Sequence, residues 1–144
     1  MRREIKLRAK KLIESGALRG YMAYESGQMV GWCNANDKAA YTGFHFDKEV
    51  DAFIRGSGGE RVKEVVCFCI APGHRGKGVA TALLNRVIAD AKNEGYLAVE
   101  GYPQIVSERD PFDMFGPVRL FEKAGFREVA RSGQTMLMRR ELGE

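Results

Sequence analysis

Apolar residues return at Ile5, Ala9, Leu12 and Ile13, the i, i+4, i+7, i+8 spacing of one helix face. The chain is therefore predicted to open with an amphipathic helix over Arg3 to Ser15 that buries this stripe and stops near Gly16. Two β-prone runs follow, Tyr21 to Glu25 and Met29 to Asn34, on either side of a Ser26-Gly27 turn. They read as an antiparallel hairpin with Trp32 in the core. From Asn36 to Gly59 the pattern assigns no regular structure: "FHFDKEVDAFI" has room for one or two helical turns, and "GSGG" at Gly56 to Gly59 reads as a flexible link.

Glu60 to Ile70 reads as a strand whose end, "VVCFCI", is apolar on both faces, as in a central strand covered on both sides. Val79, Ala80, Leu83, Leu84, Val87, Ile88 and Ala91 then keep helical spacing up to a stop at Gly95, and "YLAVEGYP" returns to strand. A crossover of this length between two strands predicts a parallel pair at the centre of the sheet. After a loop containing "QIVSERD", Gly116 is the expected N-cap and Pro117 the first residue of a short helix ending at Ala124, with Gly125 in the left-handed position. "FREVAR", a Ser132-Gly133 turn and "TMLMRREL" form a closing hairpin. The predicted class is α/β, a mixed and largely antiparallel sheet with a central parallel pair flanked by helices.

Composition narrows this picture. A length of 144 residues predicts a single domain spanning 1–144, one that buries roughly two-thirds of its unfolded surface. Hydrophobic residues at 44% and charged residues at 29% are those of a soluble protein, and no apolar run approaches the ~18 residues of a membrane helix. The basic N-terminus lacks the apolar region of a secretory signal, so a cytoplasmic location without membrane association is expected. The 23 basic and 19 acidic residues give +4, spread along the chain. That favours an anionic ligand, whereas nucleic acid is not expected, because the basic residues are not grouped with stacking aromatics. Cys33, Cys67 and Cys69 form no CxxC pair and read as small buried apolar residues, with no metal site and no disulfide.

The candidate chemistry lies in "APGHRGKGVATALL", Ala71 to Leu84, at the junction of the apolar strand and the helix. A P-loop would place Lys and then Ser or Thr after its second glycine, but Gly78 is followed by Val79 and Ala80. A dinucleotide fingerprint opening at Gly76 would need a glycine-like residue at Thr81. What remains is Arg75-x-x-Gly78-x-Ala80, with Gly76 between. Small residues at Gly76, Gly78 and Ala80 let the backbone approach a bulky anion, to which the free N–H groups and dipole of the helix start are complementary.

This pattern resembles the pyrophosphate-binding signature of the Gcn5-related N-acetyltransferase (GNAT) superfamily. The resemblance covers nearly the whole chain, including the hairpin, the strand ending "I-A-P", the strand "LAVEGY" and the terminal "LFEKAGFREV". It implies acetyl-CoA as cosubstrate, with Arg75, Gly76, Lys77, Gly78, Val79, Ala80 and Thr81 around the pyrophosphate and His74 nearby. It also implies that the backbone of Phe68, Cys69 and Ile70 meets the pantetheine arm in a splay between this strand and Leu97 to Tyr102. Lys123 either reaches the adenosine phosphates or is an ordinary exposed lysine.

For direct transfer to a primary amine of a small molecule or peptide, Glu64, eleven residues before Arg75, matches the general-base position of the histone-acetylating branch; the alternative is a plain strand-entry carboxylate. Many family members carry a tyrosine as general acid where this chain has Phe121. Tyr102, with Tyr41 behind it, is the substitute at the crevice, water being the other proton source. The strand with which the family usually opens is missing, so a partner chain, such as a second copy in a homodimer, has room to complete the acceptor pocket. Phe121 and the short N-terminus also leave open a non-catalytic acyl-CoA sensor on the same fold.

Overall fold

The computed structural model describes residues 1–41, 48–56, 61–105 and 114–143. In chain order the elements are α1 (Arg2–Glu14), β1 (Gly20–Glu25), β2 (Gln28–Asp37), a 3₁₀ turn (Lys38–Ala40), α2 (Lys48–Gly56) and β3 (Val62–Ile70). A second 3₁₀ turn (Pro72–His74), α3 (Val79–Asn93), β4 (Ala98–Gly101), α4 (Val118–Lys123), β5 (Arg127–Ser132) and β6 (Thr135–Glu141) follow. The strands form one sheet in the order β1-β2-β3-β4-β6-β5, in which β3 and β4 are parallel and every other pairing is antiparallel. This is the mixed α/β class that the periodicity predicts. Among the described residues no helix is long and apolar enough to cross a membrane.

The sheet separates two clusters. On one face α3 and α4 bring Leu84, Val87 and Phe121 onto Cys33, Val65 and Met138. On the other, α2 and the Lys38–Ala40 turn lead into a smaller cluster of Tyr41, Ile54, Val66, Tyr102 and Leu137. Two glycines set the helix positions. At Gly31 a Cβ would lie 2.7 Å from Cγ1 of Val79, so the bare backbone of β2 lets the first turn of α3 come down on it. At Gly101 a Cβ would run into the ring of Phe121, which therefore sits directly on β4.

One irregularity shapes the centre. Asn34 pairs with Cys67 but its neighbour Ala35 pairs with Val65, leaving Val66 as an extra residue on β3. The bulge resets the alternation, so that Val65 and Phe68 both face α3 while Val66 joins the α2 side. Pairing of β3 with β4 covers only Val62 to Val65 against Ala98 to Gly101. Beyond it β3 continues along β2 to Ile70, and the two parallel strands part.

Several expectations are corrected. The apolar stripe of α1 is not buried: no residue of this helix is, and Ile5, Leu12 and Ile13 are 63, 40 and 56% exposed. Among the described residues nothing buries the stripe; the helix is tied in at its C-terminal end, where Leu18 N–H reaches Leu12 O and Asn36 Nδ2 reaches the carbonyls of Gly16 and Ala17. The end of β3 is not covered on both sides, since Cys67 is half-buried and Cys69 exposed; of the three cysteines only Cys33 is a core residue. Trp32 is half-buried, its ring lying over Gly20 rather than in the core. The segment with room for one or two helical turns forms the nine-residue helix α2, longer than that expectation, with Ile54 as its buried residue. Pro117, not Gly116, caps α4, because Gly116 (φ 79°) spends its conformational freedom on the turn that lays Leu120 and Phe121 over Phe68. The 57–59 part of the "GSGG" link, residue 60 at the start of the expected strand, and the 106–110 part of "QIVSERD" lie outside the described residues.

Two stability outcomes follow. Gly101→Ala, which overpacks the Phe121 contact, is expected to destabilise the fold by about 1–3 kcal/mol, whereas Ile5→Glu changes it by no more than about 0.5 kcal/mol. Urea denaturation of both variants checks the contrast.

Candidate functional site

The glycine turn leaves β3 at its C-terminal end and delivers the chain into α3. Gly76 and Gly78 take positive φ of 72° and 85°, and nothing lies within 4 Å of where a Cβ on either would be. Gly78 is the N-cap of α3 and supplies no side-chain cap. The first N–H to bond back within this helix is that of Ala82, to Gly78 O at 3.0 Å. The N–H groups of Val79, Ala80 and Thr81 therefore have no acceptor inside the helix, and they open onto the bare face of the turn. This is a cradle that fits a diphosphate.

Of the side chains expected here, Lys77 is exposed beside the cradle, and Arg75 is exposed with its Nε donating to Ile70 O at 3.2 Å. His74 is drawn away from the turn, its Nδ1 lying 2.8 Å from Oε2 of Glu25. Lys123 is exposed at the last turn of α4.

The edge of β3 that faces the parting is only partly available. Ala71 N–H bonds Val30 O at 2.9 Å, and the alternation of an antiparallel ladder then directs the backbone of Cys69 at β2 and that of Phe68 and Ile70 away from it. Cys69 therefore offers no backbone to a ligand in the parting. Phe68 N–H points there but is taken by Met114 O at 2.7 Å. Ile70 keeps the expected direction. Phe121 is fully buried against Phe68 and Phe126, with ring centroids at 6.2 and 5.2 Å.

Where β3 and β4 are still paired, Glu64 and Glu100 stand side by side on the α2 face. Both are buried, at 0 and 1% exposure. Tyr102 Oη lies between them, donating to Glu64 Oε2 at 2.5 Å and lying 3.1 Å from Glu100 Oε2. The other contacts are cationic. Arg55 Nη2 of α2 donates to Glu64 Oε1 at 2.8 Å, Lys38 Nζ to Glu100 Oε2 at 2.7 Å, and Arg139 Nη1 of β6 to Glu100 Oε1 at 3.1 Å. Tyr41 Oη donates to Asn34 Oδ1 at 2.7 Å at the edge of the same cluster.

Burial pushes the Glu64 carboxyl above the usual carboxylate range, against the opposing pull of its bonds to Tyr102 and Arg55. Burial, reinforced by the two carboxylates, holds the Tyr102 phenol well above its ordinary value, so it remains a neutral donor. The structure thus brings Glu64 and Tyr102 together and places the glycine cradle elsewhere, beyond the parting. Lys38, Arg55, Glu100 and Arg139 escaped the sequence reading. The one signal for them was Glu100, an acid inside the otherwise apolar run "YLAVEGYP".

Residues 2–126 match the acetyltransferase (GNAT) family, and the chain belongs to it. Similar solved structures include a GNAT-family protein from Desulfovibrio desulfuricans assigned as an acetyltransferase, at 19% identity and TM-score 0.65, covering 93% of this chain and 76% of that one. Salmonella typhimurium yncA, likewise assigned and solved with its cofactor acetyl-CoA, has 20% identity and TM-score 0.62 over 98% of this chain and 74% of that one. A phosphinothricin acetyltransferase from Sinorhizobium meliloti in complex with acetyl-CoA has 19% identity and TM-score 0.61 over 99% and 70%. At these identities the likeness establishes the fold. No curated protein sequence matches the chain.

Replacing Gly78 by Glu puts bulk and negative charge on the open face of the cradle and forces a side chain into the left-handed region, at about 1–2 kcal/mol. Acetyl-CoA affinity measured by calorimetry is expected to fall at least tenfold, with the variant still folded by circular dichroism.

Proposed function

We propose that the protein transfers an acetyl group from acetyl-CoA directly to a primary amine of a small molecule or peptide. The observation that carries this reading is the row of N–H groups at Val79, Ala80 and Thr81, open beside the place where β3 and β4 part. Bound there, acetyl-CoA supplies a thioester carbonyl open to attack by an amine. The backbone of Gly76 and Gly78 and the helix start hold the diphosphate, with Arg75 and Lys77 adding charge and Lys123, exposed at the last turn of α4, supplying a cation for the adenosine phosphates. Ile70 presents its backbone to the pantetheine arm, and Phe68 joins it once Met114 O gives way.

An amine attacks only when neutral, so the site must take a proton from it. Glu64 takes that role through an intervening water, being the carboxyl whose raised proton affinity brings it toward the working pH. Phe121 has no proton to give, and Tyr102 is committed to Glu64. The nitrogen gives up its second proton as the carbon–sulfur bond breaks, and that proton passes through water to the departing thiolate. A non-catalytic acyl-CoA sensor is the second reading, favoured by the complete burial of Glu64. It predicts saturable acetyl-CoA binding without turnover.

The test is thiol release from acetyl-CoA in the presence of spermidine, a lysine-bearing peptide and a peptide with a free N-terminal alanine. At least one is expected to drive release. The rate should rise with pH on a limb set by Glu64, since only the ionised carboxylate accepts a proton, and the limb should lie above the ordinary carboxylate range. Glu64→Gln is expected to lower the rate by about 100-fold or more and to remove that limb. Binding without amine-dependent release supports the sensor.

A further inference from the structure

A base at Glu64 has a second problem besides taking a proton, which is losing it again before the next turnover. Without substrates bound the Glu64 side chain has no exposed surface, and its described contacts are Tyr102 and Arg55, of which Arg55 can only donate. Tyr102 can both accept and donate, and its hydroxyl reaches a second carboxylate, Glu100. Glu100 in turn forms part of the floor of an open groove of about 540 Å³ between α2 and the β5–β6 hairpin, bordered by Phe53, Ala130, Leu137 and Arg139. Glu100 is 1% exposed, and it borders that groove.

We infer that Glu64, Tyr102 and Glu100 form a proton relay that returns the candidate base to its ionised state by way of this groove. The inference rests on the acetyl-transfer reading above. As the amine nitrogen bonds to the acetyl carbon and the carbon–sulfur bond breaks, one proton from the amine resides on Glu64. Glu64 passes it to Tyr102 Oη while the Tyr102 hydroxyl, turned toward Glu100, gives its own proton to Glu100 Oε2. Glu100 releases that proton to water in the groove. Tyr102 ends unchanged, no electrons are transferred, and the hydroxyl again donates to Glu64, as in the structure.

The surrounding charges fit this arrangement. Lys38 and Arg139 both donate to Glu100, and Arg55 favours the ionised form of Glu64 once the proton has gone. Tyr41 borders the cluster, its hydroxyl donating to Asn34 Oδ1. Tyr102 is therefore a positioning and relay residue acting through Glu64.

Stopped-flow thiol release from acetyl-CoA with the amine that the parent protein uses best tests the relay. For Tyr102→Phe the expected trace is a burst of one equivalent of thiol per protein, followed by a steady rate at least tenfold slower than the burst. The parent should give a linear trace. Glu100→Gln cuts the chain at its outer end and should give the same burst, while Glu64→Gln should give none. Linear traces from both Tyr102→Phe and Glu100→Gln overturn the relay alone; no amine-dependent release by the parent overturns the transfer reading and the relay with it.

A readout without acetyl-CoA is the ¹³C carboxyl titration of Glu64. Glu100→Gln removes a neighbouring negative charge and should lower the Glu64 midpoint, by more in the parent than in a Tyr102→Phe background, because the hydroxyl couples the two carboxyls. Equal shifts in the two backgrounds would mean plain Coulomb coupling through space and would sink the relay.

Discussion

Strand β3 has a partner strand on both edges only from Lys63 to Val65. Up to Val65 it has β2 on one side and β4 on the other; past the extra residue at Val66 it keeps β2 and loses β4. Unpaired backbone groups inside a sheet must find partners elsewhere. In this structure Phe68 N–H takes Met114 O, and Ile70 O takes Arg75 Nε. Those substitutes are single contacts from loops rather than rungs of a ladder, and a ligand that offered a carbonyl and an amide along the same edge would replace them. The parting, the Met114 contact and the position of the glycine turn all follow from this one interruption. Gly31 and Gly101 then fix its walls, by letting Val79 and Phe121 come close to the strands on either side.

The second organising feature is electrostatic. Two carboxylates placed side by side and sealed from water repel each other and lose hydration, a combination that is tolerated only with close cationic partners. The protein recruits three, from three separate elements: Lys38 from the turn after β2, Arg55 from α2 and Arg139 from β6. This arrangement ties the segment between β2 and β3 to the sheet more specifically than the few apolar contacts around Ile54. A hydrophobic cluster of the same volume would serve stability at least as well, so the retention of buried charge beside the parting accords with a role in handling protons.

The fold was legible to the extent that it rests on local periodicity. The spacing from Val79 to Ala91 marks α3, and Gly27, Gly95, Gly125 and Gly133 mark ends of elements, all with the positive φ their positions require. The cradle was legible for the same reason, since the small residues of Gly76 and Gly78 are a local signature of a close backbone approach. What was not legible depends on contacts between distant segments. Whether the stripe of Ile5, Leu12 and Ile13 meets a partner surface is not written in its spacing, and here it meets none among the described residues. The bulge at Val66 turns Cys67 and Cys69 outward although "VVCFCI" reads as uniformly apolar. Lys38 and Arg139 lie 62 and 39 residues from Glu100 in the chain, and no pattern within a window of ten or fifteen residues could have joined them.

The central claim is that the start of α3 holds the diphosphate of acetyl-CoA. It is tested most directly by following backbone amide resonances of the ¹⁵N-labelled protein during titration with acetyl-CoA. The account predicts saturable shifts at Gly76, Gly78, Val79, Ala80 and Thr81, with Ile70 and Phe68 moving at the same ligand concentrations. Saturable binding that leaves those amides unmoved, or no binding at all by the folded protein, would contradict it.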